Sequence, residues 1–166
     1  MSLGQFRVPQ PYNEPVKSYA PGSPERIEVK SALADLHSGG QDVPLVIGGK
    51  HIHSEDKGSI HPPHRHKDTL AIYNKASDEH VKQAIDAALA ARSSWASLPW
   101  SDRAAVFLRA ADLLATKYRA RMNALTMLGQ SKTIFQAEID AVCELVDFYR
   151  FNAFYLQKIQ EEQPLI

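Results

Sequence analysis

The run "SDEHVKQAIDAALAARSSW" repeats apolar residues at helical spacing. Val81, Ile85, Ala88 and Leu89 share one face, and Trp95 closes the stripe. Ser77 ahead of Asp78 and Glu79 is a helix start, because a hydroxyl accepts a first-turn N–H and acids favour the positive end. Pro99 interrupts the pattern. Ser101 is then the expected cap of "DRAAVFLRAADLLATKY", with a core face of Val106, Phe107, Ala110, Leu113 and Leu114. "RARMNALTML" gives a third helix, ending at Gly129. A fourth runs over about residues 133–159.

The first part of the chain reads differently. Residues 1–22 are Pro-rich and irregular, an arm that wraps over something else. A short helix follows, with Ser23 as N-cap, Pro24 as first residue and Gly39-Gly40 as the stop. "VPLVIGGKHIHS" is a β-hairpin turning at Gly48-Gly49, with Val43 to Ile47 as its first strand. A loop with Pro62-Pro63 leads into a short strand, "TLAIYN". The pattern therefore predicts a mostly α-helical chain with a small hairpin and one or two further strands.

Composition narrows the classes. The 166 residues are 44% apolar and 23% charged, as in an ordinary globular protein. Nineteen basic and nineteen acidic residues cancel, so no charge surplus argues for nucleic acid or a membrane as partner. A single cysteine, Cys143, rules out an internal disulfide and fits a reducing compartment. The N-terminus has no apolar signal core. It carries one arginine and no amphipathic pattern, so it is not read as a transit peptide.

Four features invite a chemical reading. "HIHSEDKGSIHPPHRH" holds His51, His53, His61, His64 and His66, five of the seven histidines. His51 and His53 point the same way on a strand. No Cys, Asp or Glu completes a ligand set at fixed spacing, however, and Lys57, Arg65 and Lys67 repel a cation; surface histidines are expected. "GQSKT" looks like the end of a phosphate loop, but Ala124 stands where that motif needs its first glycine; a helix end and a new start are expected. Cys143 lies mid-helix among apolar residues and reads as a buried small hydrophobe.

The fourth helix is the most informative. Its centre is apolar almost all round, with Ile139, Val142 and Val146 in one row and Ala141, Leu145 and Phe148 in another, so burial on most sides is expected. Asp140, Glu144 and Asp147 form a third row. Asp147 has Arg150 at i+3, whereas Glu144 has no cation at i±3 or i±4. A carboxylate there needs a partner: a tertiary Arg or Lys, backbone donors, or the cation of a bound ligand.

Residues 61–133 resemble the N-terminal part of the aldehyde dehydrogenase superfamily, through "QAIDAALAARSSW", "LPWSDRAAVFLRAADLLATKY" and the "GQSKT" turn. "NEPVKSYAPGSPER", "RAAVFLRAADLL" and "GQSKTIFQAEIDAVCELVDFYRFN" resemble the 1-pyrroline-5-carboxylate (L-glutamate γ-semialdehyde) dehydrogenases of that superfamily. The likeness runs from about Asn13 to Pro164 and implies an α/β aldehyde dehydrogenase fold in the parent. Such enzymes oxidise L-glutamate γ-semialdehyde to glutamate with NAD in proline degradation, through a thiolate adduct that gives hydride to the nicotinamide. The resemblance also implies that Glu144 lies near the substrate's amine end and that the His-rich stretch falls on a variable hairpin and loop.

The family's catalytic Cys, general-base Glu, oxyanion Asn and dinucleotide-binding segment fall later than this sequence. No catalytic, cofactor-binding or metal residue is therefore expected here. The chain reads as residues 1–22 of arm followed by residues 23–166 of an incomplete domain, lacking the NAD-binding core and catalytic domain and inactive alone. Its partners would be the semialdehyde, the rest of the polypeptide and further copies of the parent. The compartment would be the cytoplasm in a bacterium and the mitochondrial matrix in a eukaryote. The other reading is a stand-alone helical interaction module, with an exposed apolar face around Phe148 to Tyr155.

Overall fold

The computed structural model describes residues 6–37 and 40–163. An extended arm leads into helix α1, Pro24–His37, whose Arg26 N–H reaches Ser23 Oγ at 3.4 Å. Gly39 lies outside the described residues. Gly40 takes a left-handed φ of 81° at the next turn.

The hairpin forms as read: β2 Leu45–Ile47 and β3 Lys50–Ile52 pair antiparallel. Gly48 and Gly49, at φ 56° and 76°, supply the two positive angles of a primed two-residue turn. Val43 does not belong to it. It ends β1, Gln41–Val43, which pairs parallel with the later strand β5, Ala71–Asn74. On the other side β5 pairs antiparallel with β4, Lys57–Ile60, giving the order β1-β5-β4. Three strands thus accompany the hairpin, not one or two. "KGSI" carries no alternation, and its pairing is set by a neighbour: the Tyr73 ring lies across Gly58. A Cβ on Gly58 would meet that ring at 2.3–2.5 Å. Buried Asn74 ties sheet to hairpin, accepting Ser54 N–H at 2.8 Å and donating to Val43 O at 3.0 Å.

Helix α2, Asp78–Ser97, starts at Ser77 as expected, in a reciprocal cap with His80. Its apolar stripe is not core. Val81, Ile85, Leu89 and Trp95 are 43–60% exposed, because no described element packs on that face. Helix α3, Trp100–Ala115, begins at Trp100 behind Pro99, so Ser101 is inside the helix and caps nothing. Val106 and Phe107 are exposed; Ala110, Leu113 and Leu114 are half-buried. The wholly buried residues are Ala104 and Ala111, whose small side chains let α3 lie close against the last helix.

Helix α4, Arg119–Gln130, packs on α1 through Val29, Leu36, Ala124 and Leu128. It does not stop at Gly129. Ser131, at φ 55°, takes the left-handed position instead. Thr133 then caps α5, Ile134–Ala137, with Gln136 answering in a capping box. The expected fourth helix is one continuous rod, but Glu138–Cys143 winds as a π-helix before α6, Glu144–Glu161. Two more clusters complete the core: Val8, Ala104 and Ala153, and Ala111, Val142 and Val146. Among the described residues no helix is long and apolar enough to cross a membrane.

Candidate functional site

The α5–α6 rod and the arm together build the only polar core of any depth among the described residues. Glu138 opens the π turn with 0% exposure. A buried carboxylate persists only if its oxygens are fully paired. Arg119 at the start of α4 supplies its guanidinium, with Nε at 3.1 Å from Oε1 and Nη2 also on that oxygen. Tyr19 OH donates to Oε2 at 2.7 Å, Asn123 Nδ2 at 2.8 Å, and the Lys17 N–H to Oε1 at 2.9 Å.

Glu14 links this cluster to α6. One oxygen meets Arg119 Nη1 and the other accepts Arg150 Nη1 at 2.8 Å. Arg150 also lies over the Tyr12 ring at 4.4 Å from its centroid. Arg119 Nη2 closes on Pro15 O at 2.8 Å. The arm is thus stitched by charge to α4 and to both halves of the rod.

The electrostatics follow the pairing. Burial alone would raise the Glu138 carboxyl, but Arg119 and the other donors outweigh it and hold it below the usual range. Burial likewise opposes charge on Arg119, yet Glu138 and Glu14 shift it upward. Desolvation and the Glu138 charge push Tyr19 up. Cys143 is buried, as expected, and its thiol is pushed up to about 11, chiefly by burial.

The acidic row reads differently in space. Asp140 pairs with Lys132 at 2.8 Å. Asp147 does not use Arg150, which has turned to Glu14. It accepts Asn13 Nδ2 at 2.8 Å and the Glu14 N–H at 2.6 Å. Glu144 is exposed rather than buried, and among the described residues its carboxylate makes no hydrogen bond or ion pair. The reading of a helix buried on most sides fails here, because nothing described covers the Glu144–Phe148 face; Phe148 is 60% exposed. Glu144 lines a shallow pocket of about 270 Å³ with Asn13, Asp147, Phe148 and Phe151. A free carboxylate beside two phenyl rings suits an organic cation.

The sequence reading singled out Glu144 but missed Glu14, Tyr19, Arg119, Asn123 and Glu138. The histidines are surface groups. His53 pairs with Asp42 at 3.0 Å, His61 sits by Ser59 Oγ at 2.7 Å, and His64 by Ser131 Oγ at 2.8 Å. Among the described residues no group of three or more His, Cys, Asp or Glu is placed to hold a metal. Among the described residues one strand runs directly into a helix, β5 into α2, through Lys75, Ala76 and Ser77. That turn carries no glycine, unlike the Gly-rich turn that lets a backbone approach a dinucleotide pyrophosphate.

The sequence profile of the aldehyde dehydrogenase family matches residues 51–165, and the chain belongs to that family. Its relatives narrow the likeness. It is 44% identical to a delta-1-pyrroline-5-carboxylate dehydrogenase of Agaricus bisporus over 163 residues, 98% of this chain and 30% of that protein. It is 47% identical to a mitochondrial delta-1-pyrroline-5-carboxylate dehydrogenase of Emericella nidulans, across 96% of this chain and 28% of the other. The crystal structure of the Mycobacterium tuberculosis delta-pyrroline-5-carboxylate dehydrogenase bound with NAD superposes with a TM-score of 0.95. That match is at 48% identity, over 99% of this chain and 31% of that one. The chain therefore spans about 30% of the length of the curated relatives it matches.

Proposed function

We propose that the chain is the N-terminal portion of an NAD-dependent dehydrogenase that oxidises L-glutamate γ-semialdehyde to L-glutamate in proline catabolism. The likeness at 44% identity across 98% of the chain carries this reading. In it, residues 23–166 are an incomplete domain preceded by the arm. The NAD-binding core and the catalytic domain belong to the rest of the polypeptide, and this portion alone is inactive. The unpartnered stripe of α2 and the exposed Phe148 and Tyr155 are the surfaces that polypeptide covers. The site is the mitochondrial matrix for a eukaryotic source, as the name of the Emericella nidulans relative supports, and the cytoplasm for a bacterial one.

This chain's own contribution is the Glu144 pocket. Its free carboxylate faces the α-ammonium of the semialdehyde, a charge-assisted contact that a simple aldehyde lacks. The test is Glu144→Ala in the full-length gene product. KM for the semialdehyde should rise by more than KM for an aldehyde without the amine. An equal rise for both would assign Glu144 a structural role and overturn the pocket.

A further inference from the structure

We propose that the buried Glu138–Arg119–Glu14 ion network and the π turn it anchors form a positioning device, which sets the rotation at which Glu144 meets the substrate. The inference rests on the ammonium-binding reading of Glu144.

The geometry begins with spacing. Glu138, Val142, Val146 and Arg150 are all buried and follow one another in steps of four. An α-helix turns by about 100° per residue, so each step of four overshoots a full turn by about 40°. Three such steps would carry the last residue roughly 120° off the face of the first. Yet all four are covered, because the π turn absorbs the excess with one extra residue. Glu144 closes that turn itself. Its N–H donates to Ile139 O, five residues back, rather than to Asp140 O.

The consequence falls on the pocket. With Glu138 held in place, a straight α-helix would place each downstream residue about 100° further round. Leu145 would take the place of Val146, and Cys143 would stand where Glu144 now faces the pocket. The extra residue puts a carboxylate there instead of a thiol. π turns lack the tight fit of α turns and persist where tertiary contacts hold them. Here the contacts sit at the first π residue: Arg119, Tyr19, Asn123 and the Lys17 N–H all converge on the Glu138 carboxylate. The far end is held as well. Glu14 joins Arg119 to Arg150, and Asp147 holds the Asn13–Glu14 stretch of the arm. Both ends of the rod are thereby referred to the same arm residue.

The experiment uses the full-length gene product and the ratio of kcat/KM for L-glutamate γ-semialdehyde to that for a simple aliphatic aldehyde. Glu138→Gln removes the charge, and Tyr19→Phe removes a single donor with minimal loss of shape. Each should lower the ratio by roughly threefold or more, and neither should lower it further when combined with Glu144→Ala. A ratio that stays put in both single variants overturns the positioning role. So does a loss that simply adds to that of Glu144→Ala. If Glu138→Gln does not fold, Tyr19→Phe decides alone. Failure of the underlying reading looks different: Glu144→Ala itself then leaves the ratio unmoved.

Discussion

Glu138 and Glu144 bound the same π turn and face opposite worlds. Glu138 is wholly buried and carries hydrogen bonds from Arg119, Tyr19, Asn123 and the Lys17 backbone; Glu144 is exposed, and among the described residues its carboxylate has no partner. One carboxylate is committed to the fold, and the other is open to solvent at the pocket it lines. The division assigns different phenotypes to two residues that a sequence reading would group together.

The buried member should dominate stability. Arg119→Met leaves the Glu138 carboxylate, at 0% exposure, with neutral donors only and no counter-charge. Removing one partner of a buried pair costs about 3–5 kcal/mol. Chemical denaturation should show that loss, whereas Glu144→Ala should change stability by about 0.5 kcal/mol or less, as exposed sites do.

Acid should act through the same group. The folded-state pKa of Glu138 is depressed, so its contribution is fully present above the unfolded carboxyl value of about 4.3. It is lost as pH falls through the lower folded value. The melting temperature measured from pH 7 downward should therefore drop below about pH 4.3, and drop less steeply in Glu138→Gln. Parallel curves would show that Glu138 contributes no linkage.

The arm should loosen when Asp147 is removed. Asp147 holds Asn13 and the Glu14 N–H. Hydrogen bonds to a charged group contribute about 1.5–3 kcal/mol. Asp147→Ala should speed tryptic cleavage at Lys17 by roughly tenfold or more under native conditions. An unaltered cleavage rate would mean that the Glu14 ion pairs hold the arm without Asp147.

Gly58 should tolerate no side chain while Tyr73 keeps its place. Gly58→Ala puts a Cβ 2.3 Å from the Tyr73 ring, an overlap whose relief costs about 1–3 kcal/mol. Combined with Tyr73→Ala, the two losses should be less than additive.

Cys143 should be inert. With its thiol near 11 and its side chain buried, alkylation at pH 8 should be slow in the folded chain and fast in denaturant. Rapid labelling of the folded chain would contradict the packing given to the π turn.

Much of the architecture was legible because it is locally encoded. Gly48-Gly49 specifies its turn through two positive φ angles, and Ser77 and Thr133 cap the helices that follow them. The polar core was not legible. Arg119 and Glu138 stand on different helices, and Glu14 lies far away on an arm without periodicity, so no window along the chain contains their pairing. One signal was present: the steps of four from Glu138 to Arg150 are too regular for an α-helix face and mark the π turn. The stripe of α2 misled for a different reason. Helical spacing shows that a face is apolar, but not which partner covers it. Glu144 was singled out for the lack of a nearby cation along its helix, and the burial expected of it was wrong, because the residue is exposed.

The most direct test follows NAD reduction with L-glutamate γ-semialdehyde, using the full-length gene product beside the 166-residue chain. Turnover by the longer protein and none by the chain is the predicted result. Turnover by the chain itself would place catalytic machinery within these residues, and no turnover by the longer protein would contradict the proposed substrate.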